Sequence, residues 1–463
     1  MNIMGNKNYR ITDFGAKSGN HPEYAIQNAG AIQAAIDSCA DHGGGCVIIP
    51  SGAFFYTAPF SFKSNLNFIL EPGSCLKADP DESHYTRSAF RANKSEGTIW
   101  IGAENAENVM ISGTGTIDGN GPAFMGPEEK AAFALKPITD VDLRPHIMTL
   151  VGCKHLTIRD VTIRHAAYWG VHLAGCEDVV ISGVRLYNHL KIRNSDGIDL
   201  DHCKNCRISD CYIESGDDCI CLKNRREYAE FGACENITVT NCSMTSTSCA
   251  FKIGSENMDV IRNVLVTNCI ITKSNRGIGI QNRDEGSVEN VRFAHLIIQS
   301  RLFDNVWWGK AEPIYITAFR RAAAAHRDAN WRFAPGQTEG RVGDVKDIWI
   351  SNCTCDAENG VYIAGEPGKI ARINLENITL TLNKISTHPG GWWDRRPCAV
   401  PGLLEAPTAG FAFHEITQLL VRNCSIRWGP NRPSYYRNAV EYSNIDGFKL
   451  ENFDGTPIFN NSA

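Results

Sequence analysis

The chain has 463 residues, 43% hydrophobic and 21% charged, close to the average for soluble globular chains, so disorder over most of its length is excluded. Lysine and arginine total 46 against 51 acids, a formal charge of −5, and no basic stripe or like-charge block argues for nucleic acid or an anionic membrane as a partner. No apolar run reaches the roughly 18 residues of a membrane span. At roughly 150 residues per domain the length suggests about three domains, unless a repeat makes it one elongated unit.

The start, MNIMGNKNYR, lacks the apolar core of a signal peptide, so either the protein is cytoplasmic or a leader has been removed. A cap is expected over about residues 10–60. Within it AGAIQAAIDSCADH, following Asn28, reads as an amphipathic helix with Asn28 as N-cap and Gly43-Gly44-Gly45 as its stop. Such a helix would cover the exposed edge of the first strand layer.

Beyond it one pattern recurs: a polar pair, alternating apolar or β-branched residues, and often Asn-Cys. It reads ENVMISG from Glu107, KHLTIRD from Lys154, EDVVISG from Glu177, KNCRISDC from Lys204, ENITVTNC from Glu235 and RNVLVTNC from Arg262. Further copies start at Glu289, Lys346, Ala371, Thr417 and Asp446. The second residues of these copies lie 47, 23, 27, 31, 27, 27, 57, 25, 46 and 29 residues apart. The spacings of 47 and 57 are expected to be two turns with one degenerate copy between them. Period two within each copy means strands, and a strand every 23 to 31 residues is too wide for hairpins. The reading is an all-β fold, a right-handed parallel β-helix forming a single domain over 1–463 with an N-terminal capping helix. Leucine-rich repeats share the period but need a Leu-x-x-Leu-x-Leu frame that is absent.

The repeat also accounts for most of the eighteen cysteines. Cys211, Cys242, Cys269, Cys353 and Cys424 take the same place in different rungs and should stack as a buried ladder of thiols, in keeping with a reduced compartment. Cys203-x-x-Cys206, Cys219-x-Cys221 and Cys353-x-Cys355 look like metal half-sites, but zinc needs two such pairs to converge, so no metal and no cofactor is expected. Two stretches break the repeat, about 303–343 with a short Ala-rich run and about 383–416. Both are read as loop insertions of the kind that build a binding face.

Chemistry concentrates between Arg193 and Asn224. Asp196, Asp199 and Asp201 fall on one rung and Asp217 and Asp218 on the next, with Asp196 and Asp217 21 residues apart, close to one turn. Ile198, Leu200, Ile220 and Leu222 alternate inward as core. Crowded carboxylates spread their pKa values, leaving one protonated as an acid and others ionised. That is what inverting glycoside hydrolysis requires. The plain alternative makes Asp199 and Asp201 solvated exterior residues, and for Asp199 that reading or a supporting role is favoured.

At these motifs the chain resembles glycoside hydrolase family 28, the polygalacturonase family, over nearly everything from residue 10 to beyond 380. ITDFGAKSGN, AGAIQAAIDSCADHGGGCVIIPSG and ISGTGTIDGNG are similar to its N-terminal portion. NSDGIDLD resembles its Asn-Thr-Asp-Gly motif with Ser195 for threonine, SGDDCICLKN its Gly-Asp-Asp motif followed by Lys223, and IGSE, ending at Glu256, its segment downstream of a catalytic histidine. The resemblance implies an inverting hydrolase with Asp217 as the acid, Asp196 and Asp218 orienting water, and Asn194 and Lys223 among the substrate-binding residues. Two departures stand out. Ser248 occupies the histidine's place, and Gly279-Ile280-Gln281 replaces the Arg-Ile-Lys that grips a uronate carboxylate on the leaving-group side. That grip is missing unless Arg283 or Arg320 reaches in, so the leaving sugar is expected to be rhamnose or another neutral sugar facing Gln281.

Lys252 either faces the same groove or is a solvated exterior lysine. One of the pairs Trp307–Trp308 and Trp392–Trp393 is expected to stack on sugar, although paired tryptophans also anchor loops. His172 reads as a structural histidine, and Glu312 as a candidate subsite residue of its loop. The expected partner is a pectin-type oligosaccharide, cut with an exo preference; the sequence assigns no oligomeric state. Two other readings stay open: a lyase or epimerase that abstracts a proton beside a uronate carboxylate, and an inactive carbohydrate-binding solenoid.

Overall fold

The computed structural model describes residues 7–91, 94, 96–138, 142–304, 307–322, 340–455 and 458–460. The alternation inside each copy does what period two requires. In the strand Cys234–Thr240 the side chains of Ile237 and Val239 are buried while Thr238 between them is partly exposed. The strands pair in parallel and in register, so one buried column runs Ile237, Val264, Val291, Ile348, Ile373 and Leu419. The architecture is a parallel β-helix.

The second residue of every copy, eleven of them from Asn108 to Gly447, has a φ between +51° and +71°. This left-handed turn bends the chain into its strand, and Asn, Asp and Gly accept it at least cost. Asparagine amides at the turn bond from rung to rung: Asn263 Nδ2 to Asn236 Oδ1 at 3.0 Å and Asn290 Nδ2 to Asn263 Oδ1 at 2.9 Å.

The two long spacings are single turns. Lys154 pairs directly with Glu107, and Lys346 with Glu289, so no copy is missing between them. The additional residues leave the rung as insertions, which local periodicity does not reveal because it carries no record of which strands are neighbours.

The chain forms two compact units, Met1–Glu129 with Ala134–Gly216, and Lys130–Phe133 with Asp217–Ala463. In the first, the helix spans Ala25–Asp41 and packs Ala25 and Ala29 against Tyr56 and Ala58. It starts four residues earlier than expected, because the short turn Pro22–Tyr24 leads straight into it. Asn28 is therefore not the N-cap. It lies one turn inside, buried, donating to Tyr56 O at 2.9 Å and accepting from Lys17 N at 2.7 Å. The glycine stop is real: Gly44 has φ +117°, and a Cβ there would stand 2.5 Å from Asn65 O.

In the second unit the first insertion is not all loop. Glu312–Ala318 is a full rung strand, paired with Arg276–Asn282. The Ala-rich run continues into 323–339, outside the described residues. The second insertion holds a hairpin, Trp392–Asp394 against Leu403–Glu405, and from Phe411 it rejoins the coil. All eighteen cysteines are free thiols, and all but Cys75 are buried. Cys242, Cys269, Cys353 and Cys424 each donate to the carbonyl two residues back, at 3.2–3.3 Å.

Candidate active site

In the first unit the segment from Arg193 to Ser195 is fixed by backbone contacts. Ser195 Oγ donates to Ile192 O at 2.7 Å and accepts from Gly216 N at 3.2 Å. Gly216 must be glycine here, since a Cβ would meet Ile192 O at 2.3 Å and Ser195 Oγ at 2.6 Å. Asn188 Nδ2 bonds both Ser195 O and Asp196 O, at 2.9 and 3.2 Å, holding the main chain that carries the buried Asp196. Asn194 sits at φ +60° and accepts from Arg144 Nη2 at 3.5 Å.

Asp199 and Asp201 are not solvated: both are 0% exposed. Register sets Asp199 beside His172, and His172 Nε2 lies 3.5 Å from Asp201 Oδ2. Alternation along Ile198–Asp201 was read as inside against outside, but here the outward row is itself covered. His172 stands edge-on to Trp169 with ring centres 4.9 Å apart. Ile198 and Leu200 are core as expected.

The second unit opens with the other two acids. Both carboxylate oxygens of Asp218 are engaged: Oδ1 accepts from Ser248 Oγ at 3.0 Å and Oδ2 from Lys252 Nζ at 2.7 Å. Asp218 is 1% exposed and the lysine side chain 11%, so Lys252 is a largely covered partner of Asp218, not a solvated lysine. Burial disfavours the lysine's charge, but the neighbouring acidic groups, Asp218 foremost, together hold the ammonium above its ordinary pKa. Asp217, also buried, is fixed through its backbone: Ser246 Oγ donates to Asp217 O and accepts from Ser248 N at 2.8 Å. Lys223 is buried with its Nζ 3.8 Å from Glu256 Oε2. One short stretch, Ser246–Lys252, thus serves both acids.

Residues 72–302 match the family model described as glycosyl hydrolases family 28. The chain belongs to that family. Among its relatives, a probable polygalacturonase of Vitis vinifera is 29% identical over 42% of this chain and 41% of its own length. An exopolygalacturonase of Cochliobolus carbonum is 26% identical over 42% of each. The chain therefore spans about two fifths of the length of these curated relatives. Among solved structures, a family 28 exopolygalacturonase of Yersinia enterocolitica superposes with a TM-score of 0.72 at 18% identity, over 98% of this chain and 79% of that one. The exopolygalacturonase of Thermotoga maritima gives 0.66 at 21% identity, over 84% and 89%. At these identities the two structures bear on the fold.

As a family 28 chain it departs from expectation on the rung of Gly279–Gln281. Gln281 is buried and its Nε2 donates to Arg396 O in the second insertion. Arg283 is wholly buried, donating to Arg395 O at 2.7 Å, Tyr315 OH at 3.1 Å and Thr317 Oγ1 at 3.0 Å. Neither side chain is extended to a sugar; both hold the insertion down. Arg320 turns to Glu366 at 3.4 Å. Glu312 is a buried strand residue, not a loop residue, and pairs with Arg276 at 3.3 Å, whose guanidinium lies 3.6 Å from the centre of the Tyr315 ring.

Of the tryptophans, Trp393 is a loop anchor, stacked on Tyr362 at 4.6 Å and 13°. Trp307 is buried and meets Trp308 at 77°. Trp308 and Trp392 keep partly exposed faces. Sequence reasoning missed Ser246, the Arg276–Glu312 pair and Asp394. The first had a signal, since Ser215 and Ser246 each stand four residues after a rung cysteine, Cys211 and Cys242; the other two depend on how the insertions return.

Proposed function

We propose that this chain is an inverting glycoside hydrolase acting on α-linked, pectin-type oligosaccharides. Asp217 gives its proton to the leaving oxygen while Asp196 and Asp218 orient the attacking water. The oxygen of that water bonds to the anomeric carbon from the face opposite the departing sugar, and its proton passes to a carboxylate. The observation that carries the reading is the engagement of both Asp218 oxygens by Lys252 and Ser248, beside Asp217, on the rung bearing the family's acid motif. A carboxylate that accepts from an ammonium and a hydroxyl suits a water-orienting role; the neighbouring acid is left to give the proton.

The leaving sugar in this reading is neutral, rhamnose or similar. Gly279 and Gln281 supply no cation, and the charge of Arg276 is taken up by Glu312. Esterifying the leaving-side carboxylate of a uronate substrate should then leave the rate unchanged, and a steep fall would contradict the reading. The free, mostly buried thiols support a reducing compartment as the place of action, on imported fragments.

Mass spectrometry of products from homogalacturonan and rhamnogalacturonan oligosaccharides tests the function. Products that together carry one added water establish hydrolysis and name the bond. Fragments without added water mean elimination and overturn the mechanism. An untouched panel rejects pectic substrates.

A further inference from the structure

We infer that Lys252 is a positioning residue that divides the work between two adjacent acids, keeping Asp218 ionised for the water and leaving the proton to Asp217. This rests on the hydrolase reading and names what sets its acid and its base apart.

Asp217 and Asp218 follow one another in the chain, both are buried, and their carboxylate oxygens come within 4.8 Å of each other. Two carboxylates this close resist being ionised together, and the two residues are chemically identical. Lys252 breaks that symmetry. Its Nζ donates to Asp218 Oδ2 at 2.7 Å, while Ser248 Oγ donates to the other oxygen at 3.0 Å. Of the two acids, Asp218 acts on the ammonium more strongly than Asp217 does. A cation favours the ionised form of the carboxylate it touches, and does so less for one farther off. The serine hydroxyl adds a hydrogen bond but no charge, so the choice between the acids falls to the lysine.

The surroundings dedicate the cation to this contact. Asp217, Asp218, Cys221 and Lys223 face it from the strand Ile220–Asn224 and the turn before it, and Cys249 from its own strand Cys249–Asn257. On the other side the strand Arg276–Asn282 sets Gly279, which has no side chain, beside Lys252 and Arg276 beside Cys249. Burial pushes the Cys249 thiol up, so it stays neutral. Cys221, in register with Lys252, donates its thiol to Gly254 O at 3.1 Å. The other two cations have acids of their own: Lys223 Nζ lies 3.8 Å from Glu256 Oε2, and Arg276 pairs with Glu312 at 3.3 Å. Lys252 is left to Asp218.

The test is the pH dependence of kcat/KM on homogalacturonan and rhamnogalacturonan oligosaccharides, in the unaltered enzyme, Lys252→Met and Lys252→Arg. The acid limb of such a bell reports the group that must be ionised, and the alkaline limb the one that must hold a proton. In Lys252→Met the acid limb should move up by about one pH unit or more and the alkaline limb by less, so the bell narrows. Lys252→Arg keeps the charge and should keep the spacing of the limbs, whatever its rate. A purely structural lysine would lower kcat/KM at every pH and leave both limbs in place. That result, a bell that moves as a whole, or equal narrowing in Lys252→Arg overturns the inference and leaves the hydrolase reading intact. Should Lys252→Met not fold, Lys252→Gln, which keeps a donor and loses the charge, carries the same comparison. No hydrolysis of either substrate by the unaltered enzyme defeats both.

Discussion

Two columns of residues run along the second unit and differ in kind. At the left-handed turn Asn236, Asn263 and Asn290 stack amide on amide, at 2.9–3.0 Å. On the face that carries Lys252, the positions in register read Cys221, Lys252, Gly279, Tyr315, Tyr362 and Ala412. The first column repeats because every rung sets its turn the same problem, a positive φ and an amide left at the surface. The second does not repeat, because Lys252, Tyr315 and Tyr362 there answer to something outside their rungs: a carboxylate, or the insertion above. In a coil of parallel strands, repetition marks the residues that make the fold, and its failure marks those that do chemistry.

The comparison breaks most decisively at the acid. Asp217→Asn should lower turnover by roughly 10²–10⁴-fold, the usual share of a general acid, with oligosaccharide binding retained by calorimetry. A variant that keeps its rate would mean the non-repeating face is not where the proton is given. Lys252→Met comes next. Removing one partner of a buried pair leaves the Asp218 carboxylate buried without its ammonium, a cost of about 3–5 kcal/mol in denaturant unfolding, with turnover falling as well. Stability unchanged within error would show the pair to be solvated after all.

Much of this was legible in the sequence, and the limits are physical. The repeat gave the strands, their inward residues and even the turn position, since the second residue of each copy is the one with positive φ. Local periodicity carried that information because a strand and its turn are local. The single long turns were misjudged because register joins Glu289 to Lys346 across an insertion that no pattern inside either strand records. Asp199 and Asp201 were misread for a related reason: alternation tells which side a residue faces, not whether that side is covered. The acids were found from spacing and motif, but Gln281 and Arg283 were assigned to sugar because their partners lie 115 and 112 residues away in an insertion.

His414 sharpens the comparison from the far end of the same face, in a column that reads Gly254, Gln281, Thr317, Ala364 and His414. Burial, then the charge of Arg395, pushes its pKa from 6.5 down to about 4. Above pH 6.5 the ring is neutral in folded and unfolded chains alike, and its contribution to stability is fully present. As pH falls from there toward 4, the unfolded chain takes up a proton that the folded one refuses, so stability is lost. The loss should be on the order of 2 kcal/mol by about pH 4.5, and it should be absent from His414→Phe in matched denaturant titrations.

The smallest effect belongs to the repeating column. Asn263 holds φ +57° on the surface, donating to Asn236 and accepting from Asn290. Alanine there would carry a Cβ into the left-handed region, at a cost of roughly 1–2 kcal/mol, whereas glycine takes the same φ without strain and loses only two solvent-exposed amide bonds. Asn263→Ala should therefore be destabilised and Asn263→Gly much less so, each with the turnover of the unaltered enzyme. Equal losses in the two variants would shift the ladder's worth from the turn to the amides. A turnover change in either would mean that the two columns are coupled across the rung, and that repetition in this coil is not a guide to which residues leave the chemistry alone.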